Sequence, residues 1–311
     1  MKKLAFVFPG QGSQKVGMGQ SLLDSNPANQ ALFDQADQLL DFSLSKMIQV
    51  GPESELTKTA HAQPALLLMS TMVYRELLKR EIKPSVVAGH SLGEYSALVA
   101  SGVLEFEDAI PLVHERGKLM EQAYPAGAGA MAAVLGLDQQ TIEQQLAGLD
   151  EIVDLANINC PGQIVISGTK AGIDQAIPLL KNSGAKRVIP LNVSGPFHSR
   201  LMREVAENFK AVLSRVSFSQ PTIPVYSNVT AKQVENADQS KELLVKQLYS
   251  PVRFEEIIED LLEQNLDAIV EVGNGKVLAG LVKKVSRRAQ VFSVYDQVSL
   301  DQLTEWYREG E

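Results

Sequence analysis

Strands alternating with helices along most of the chain predict an α/β protein, with a parallel sheet sandwiched between helical layers in its main domain. Two stretches carry that prediction. Residues 89–93, Gly-His-Ser-Leu-Gly, lie between the short apolar run 86–88 and a segment whose apolar residues recur at helical spacing through Leu98 and Val99. After Gly127-Ala128-Gly129 the order changes to β-α-β-β-α-β, the pattern of a ferredoxin-like split unit of roughly 65 residues, a reasonable size for a small insert.

Taken in order, residues 4–8 read as a buried first strand, ended by the glycine-rich loop Pro9-Gly10-Gln11-Gly12-Ser13-Gln14. Asn26-Pro27 caps a helix to about residue 40, and a second helix is predicted from Gln63 to Arg80 with Pro64 in its first turn. The strand 86–88 and its helix end at Gly102, and a helix over 107–123 carries Arg116. The insert reads as strand 131–135, helix 139–146, strands 152–156 and 163–167, helix 172–180 and strand 187–191. The main body resumes at Ser194-Gly195-Pro196-Phe197-His198-Ser199. A helix to about 212, a short strand at 225–226 and helices over 241–248 and 254–263 follow. A buried strand at 267–272, a helix from Val277 and a strand at 291–294 complete the pattern.

The 311 residues, 45% hydrophobic and 21% charged, are enough for a large core and describe an ordinary globular protein. No apolar stretch is long enough to span a membrane. The opening Met1-Lys2-Lys3 with its apolar run is too short for a signal peptide and lacks a cleavage site, so a cytoplasmic location is expected. A net charge of −8 with no dominant basic stripe argues against nucleic-acid binding. Cys160 is the only cysteine, which rules out an intrachain disulfide. With four histidines at no close spacing to it, no zinc site is expected.

A G-x-S-x-G run between strand and helix puts a serine on a sharp turn at a helix N-terminus, where helix-start N–H groups stabilise developing negative charge. Ser91 is therefore the nucleophile candidate, the alternative being a serine that merely caps a helix. The 9–14 loop lacks the Lys-Ser/Thr of a phosphate loop and the G-x-G-x-x-G spacing. It reads either as a turn exposing oxyanion-binding N–H groups or as a plain strand-to-helix turn.

A base for Ser91 must come from His61, His90, His114 or His198. His90 adjoins Ser91 and should point away from it. His114 lies about 200° around its helix from Arg116 and reads as solvated or at an edge. His61 sits near a helix start in a structural role. His198, in a loop constrained by Gly195 and Pro196 at the return to the main body, has the position in which α/β folds collect site residues. No acidic residue presents itself as a third member, so the orienting group is either a carboxylate or a backbone carbonyl. Arg116 is either an ion-paired or snorkelling arginine or a bidentate clamp on a substrate carboxylate.

Gly10-Gln11-Gly12-Ser13-Gln14, Gly89-His90-Ser91-Leu92-Gly93-Glu94-Tyr95, Arg116-Gly117-Lys118-Leu119-Met120, Gly195-Pro196-Phe197-His198-Ser199 and Glu271-Val272-Gly273-Asn274-Gly275-Lys276-Val277-Leu278, in that order, closely resemble the malonyl-CoA:acyl carrier protein transacylases over essentially the full length. The resemblance implies an α/β-hydrolase-like catalytic domain, residues 1–126 and 193–311, with a ferredoxin-like subdomain at 127–192. It implies Ser91 as nucleophile, His198 as base and the N–H groups of Gln11 and Leu92 as oxyanion hole. It further implies Arg116 as partner of the malonyl carboxylate, and a backbone carbonyl near an amide residue, a position that Gln247 best matches, as the group that orients the histidine. Phe197, with Met120, is implied to favour malonyl over branched groups. Asn274 stands where many relatives carry proline.

The implied substrates are malonyl-CoA and the phosphopantetheine thiol of acyl carrier protein, for fatty-acid or polyketide synthesis, with no metal or redox cofactor and with the enzyme acting as a monomer. Lys186-Arg187, or Lys283-Lys284 with Arg287-Arg288, are candidate docking patches for an acidic carrier protein. A serine hydrolase would share Ser91 and His198 but has no use for Arg116. A non-catalytic carrier-binding subunit would need none of the set.

Overall fold

The structure is a computed structural model that describes residues 2–309; Met1, Gly310 and Glu311, at the ends of the predicted catalytic domain, lie outside the described residues. Its strands are β1 (Leu4–Phe8), β2 (Val86–Gly89), β3 (Gly129–Leu135), β4 (Val153–Cys160), β5 (Gln163–Thr169), β6 (Arg187–Pro190), β7 (Val252–Arg253), β8 (Ala268–Val272) and β9 (Val291–Val294).

Every residue of β1, β2 and β8 is buried, as strands covered on both faces must be. They form an all-parallel sheet in the order β2-β1-β8-β9. Alternate residues supply two different cores. Leu4, Phe6, Phe8, Val87 and Val270 face the core that contains the helices Thr59–Lys79 and Leu92–Ala100. Ala5, Val7, Val86, Ala88 and Ile269 pack with residues of the helices Phe254–Glu263 and Val277–Val285. The last of these helices is capped by Glu271, whose carboxylate accepts the N–H groups of Leu278 (3.0 Å) and Ala279 (2.9 Å).

The insert forms a second sheet, in the order β6-β3-β5-β4, antiparallel throughout, with a core of its own under the helices Gln139–Leu146 and Lys170–Asn182. This is the ferredoxin-like order expected from the chain. β7, a two-residue strand from the main stretch that was not expected, pairs in parallel with β4 and fastens the insert sheet to the body.

Residues 225–226 form no strand; Val225 makes only an isolated bridge to Val87, extending the parallel sheet by a single pair. Short helices at Gln20–Ser25, Leu44–Val50 and Glu53–Leu56, and the last helix Gln297–Arg308, were also not foreseen. Among the described residues no helix is long and apolar enough to cross a membrane.

The helix Thr59–Lys79 starts four residues before the predicted Gln63. Pro64 cannot donate to Ala60, its i−4 neighbour, and the carbonyl so freed accepts from His114 Nδ1 at 2.7 Å. His114 is thus a buried tie between two helices, correcting the solvated or edge position read from helical phase. At the same crossing a Cβ on Gly117 would lie 2.6 Å from Ala60 Cα, so only glycine lets the helices meet this closely. That approach brings Arg116 beside Gln63.

Candidate active site

The site lies at the C-terminal ends of β1 and β2, where an open parallel sheet gathers its functional loops. Ser91 sits between β2 and the helix Leu92–Ala100 at φ 50°, ψ −106°, a strained conformation for a residue with a side chain. The turn is possible because its glycines are crowded on both sides. A Cβ on Gly89 would lie 1.9 Å from the Gly93 carbonyl, and one on Gly93 would lie 2.0 Å from the Phe8 oxygen. Asn228 holds the strain in place. Its Oδ1 accepts the Ser91 N–H at 2.8 Å and its Nδ2 donates to the Gly89 carbonyl at 2.7 Å.

Ser91 Oγ lies 2.8 Å from His198 Nε2. His198 Nδ1 faces the Gln247 backbone oxygen at 2.8 Å. A carbonyl can only accept, so in the neutral ring Nδ1 carries the proton and Nε2 offers its lone pair to the serine. Gln247 ends the helix Ala237–Gln247, where carbonyls have no intrahelical partner, and the next such carbonyl, Leu248, accepts the His198 N–H at 3.1 Å. Burial and the nearby Arg116 cation push the His198 ring down to about 3, against the upward pull of its bond to Gln247. The histidine is therefore neutral at physiological pH.

Arg116 is 1% exposed and, among the described residues, has no carboxylate within ion-pair distance; it is neither of the bland arginines that its helix allowed. Its guanidinium is held by two neutral amides, with Nη1 donating to Gln63 Oε1 and Nη2 to Gln247 Oε1, each at 2.8 Å. The Tyr95 ring lies under it at 5.1 Å. Nη2 is also 3.3 Å from Ser91 Oγ, and Nε has no hydrogen-bond partner among the described residues. A buried cation with an unused edge, next to a serine, suits a ligand carboxylate.

A cavity of about 290 Å³ joins these groups, lined by Gln11, Ser91, Leu92, Arg116, His198 and, from the insert, Met131 and Asn157. Phe197 and Met120 also border it. The N–H of Gln11, in the loop after β1, and that of Leu92, in the first helical turn, have no acceptor among the described residues. Both residues line the cavity beside Ser91.

His90 points away from Ser91 Oγ, with Nε2 2.8 Å from Asn159 Oδ1, and His61 Nδ1 faces the Glu55 carbonyl, so neither competes as base. Cys160 is buried, which pushes its thiol up and leaves it inert. Lys186, Arg187, Arg287 and Arg288 are exposed; Lys283 donates to the carbonyls of Arg287 and Ala289, and Lys284 to Gln163. Among the described residues no group of three His, Cys, Asp or Glu could hold a metal ion. Sequence reasoning missed Gln63, Asn228 and Glu94. The last lay in plain view beside the elbow; the other two carry no motif and meet the site only through folding.

Residues 5–302 match the family model described as the acyl transferase domain. The chain is 51% identical to the malonyl CoA-acyl carrier protein transacylase of Bacillus subtilis (strain 168), over 97% of this chain and 96% of that one. Among solved structures it superposes with a TM-score of 0.95 on a malonyl-transacylase in complex with its type II PKS acyl-carrier protein, at 42% identity over 97% of this chain and 99% of that chain. An acyl carrier protein S-malonyltransferase from Vibrio cholerae gives 0.94 at 42% identity, with the same coverage.

Proposed function

The chain belongs to the acyl transferase domain family and, within it, to the malonyl-CoA:acyl carrier protein transacylases; from that premise we propose that it moves malonyl from malonyl-CoA to the phosphopantetheine thiol of acyl carrier protein through a malonyl-Ser91 ester. The observation that carries this reading is the meeting of three groups. Ser91 Oγ is 2.8 Å from a neutral imidazole and 3.3 Å from a buried guanidinium that no carboxylate among the described residues occupies.

In the first half-reaction Ser91 Oγ attacks the thioester carbonyl carbon while its proton passes to His198 Nε2. The Gln247 carbonyl steadies the imidazolium through Nδ1–H. The N–H groups of Gln11 and Leu92 receive the tetrahedral oxyanion, a stabilisation whose loss costs about 10²–10³ in rate per donor. The C–S bond breaks, the His198 proton goes to the leaving thiolate, and malonate stays esterified to Ser91. The carrier-protein thiol then gives its proton to His198 and attacks the ester, reversing the steps.

Arg116 holds the malonyl carboxylate throughout, which favours malonyl over acyl groups without a charge. Phe197 and Met120 narrow the cavity against a methyl branch. The cycle draws on these side chains and backbone groups and the two substrates. Its acceptor, a carrier protein of fatty-acid or polyketide synthesis, docks by exposed basic residues such as Lys186-Arg187 or Lys283-Lys284, with residues 127–192 acting as one subdomain over the cavity. The enzyme works as a cytoplasmic monomer.

Intact-protein mass after brief mixing with malonyl-CoA tests the scheme. Wild type should gain one malonyl group and Ser91→Ala none. Release of free malonate and CoA without an adduct would favour a hydrolase instead.

A further inference from the structure

Arg116 has its charge answered at one remove. Gln247 Oε1 accepts from its Nη2, and Gln247 Nε2 donates to Glu94 Oε2 at 2.7 Å. The same Glu94 oxygen accepts the Asn228 N–H at 2.9 Å. Glu94 stands in the first turn of the elbow helix and is 2% exposed. Gln247 Nε2 also donates to the Ser91 carbonyl at 3.1 Å. Carboxylate and carbonyl can only accept, so together they fix which end of the Gln247 amide faces them and leave the amide oxygen for the guanidinium, with Glu94 the shorter contact. Bonded to Arg116 directly, the carboxylate would fill the edge that a ligand needs. Acting through the amide, it leaves Arg116, which lines the cavity, without a carboxylate partner among the described residues, and the buried Nε without a hydrogen bond there.

We propose that Glu94 is a positioning residue that sets how tightly Arg116 holds an acyl carboxylate. As an acceptor it orients the guanidinium through Gln247; as a buried negative charge it offsets part of the attraction felt by a second carboxylate. The inference rests on the reading of Arg116 as holder of the malonyl carboxylate.

Burial pushes the Glu94 carboxyl up to about 7, against the hydrogen bonds from Asn228 and Gln247 and the Arg116 charge. Both charge states are therefore populated near neutral pH. The groups around it stay in one state there. Arg116 remains a cation despite its burial, the Tyr95 hydroxyl is raised well beyond its ordinary value, and burial holds the His198 and His90 rings neutral. As pH rises from 6 to 8, Glu94 ionises and the hold on a carboxylate weakens.

The test compares KM for malonyl-CoA and acetyl-CoA in the first half-reaction from pH 6 to 8; titration of the coenzyme cancels in the ratio. The wild-type preference for malonyl should rise as pH falls from 8 to 6. Glu94→Gln can still accept both N–H groups on its amide oxygen but carries no charge. At pH 8 it should prefer malonyl about three- to tenfold more than wild type does, with no pH dependence. Glu94→Ala, which removes the closest acceptor of the Gln247 amide and leaves it the longer bond to the Ser91 carbonyl, should prefer malonyl less than Glu94→Gln does.

A wild-type preference that is flat from pH 6 to 8 would overturn the proposal, and this series needs no variant to fold. A Glu94→Gln preference equal to wild type at pH 8 would do the same. Arg116→Ala separates the two readings. If it keeps the malonyl preference, the reading of Arg116 fails and this proposal with it; if it loses the preference while the Glu94 series is flat, only the present inference fails.

Discussion

Gln247 serves His198 and Arg116 with different atoms: its backbone oxygen lies 2.8 Å from His198 Nδ1, and its side-chain oxygen lies 2.8 Å from Arg116 Nη2. Base and carboxylate-binding cation are thus registered to one helix end, and substitution can separate their roles.

Gln247→Ala keeps the backbone carbonyl, and with it the orientation of His198, while Arg116 loses one of its two amide anchors. Losing a hydrogen bond to a charged group costs about 1.5–3 kcal/mol. The expected outcome is a roughly 10- to 100-fold loss in kcat/KM for malonyl-CoA and a smaller loss for acetyl-CoA. Equal losses for the two substrates would show that the side chain serves the histidine instead.

Asn228→Ala removes both bonds that clamp the elbow and leaves the Ser91 N–H and the Gly89 carbonyl without their partner. At about 1–3 kcal/mol for each buried group left unpaired, the thermal midpoint should drop by several degrees. The rate of Ser91 acylation should fall as well, because the strained turn relaxes. Calorimetry and acylation kinetics on the same sample check both, and an unchanged midpoint would mean that the elbow holds its shape unaided.

Gly93→Ala places a methyl 2.0 Å from the Phe8 oxygen, a backbone atom that cannot swing aside. Strand and helix must part, at a cost of at least about 1–3 kcal/mol. Gly280→Ala is the control, since nothing lies within 4 Å of the added methyl in the helix Val277–Val285. It should be neutral or stabilise by up to about 1 kcal/mol. Urea unfolding of the two variants should shift in opposite directions or, for Gly280→Ala, not at all.

His198 is held down to about 3 from an ordinary 6.5, so the unfolded chain binds a proton that the folded chain refuses. Its contribution to stability is complete above pH 6.5 and is lost as pH falls toward 3. In His198→Gln the midpoint of thermal unfolding should vary less with pH across that window than in wild type. Equal slopes would show that the ring titrates normally in the fold.

Much of this was legible in local sequence because local physics decides it. Period-2 and period-3.6 apolar patterns mark the strands and helices of both sheets. The glycines at 89 and 93 mark a turn that crowds Cβ atoms, and the order of elements from Gly129 to Pro190 already implies a four-stranded antiparallel insert. Ser91 and His198 stand out because one lies in a motif and the other in a Gly-Pro loop. Short helices such as Leu44–Val50 and the two-residue β7 escaped notice because so few residues carry too little periodicity.

By itself, then, the sequence determined the alternation of elements, the sharp turn under Ser91 and the residue types from which a site could be made. Only the tertiary structure decided that the Gln247 carbonyl, which the resemblance implied and local pattern left open, faces His198, that His114 ties two helices through the carbonyl freed by Pro64, and that Arg116 is anchored by amides with Glu94 behind them. The reason is physical. Burial and hydrogen-bond partnership between residues far apart in the chain depend on which helix ends and sheet edges meet, and no local pattern encodes that meeting.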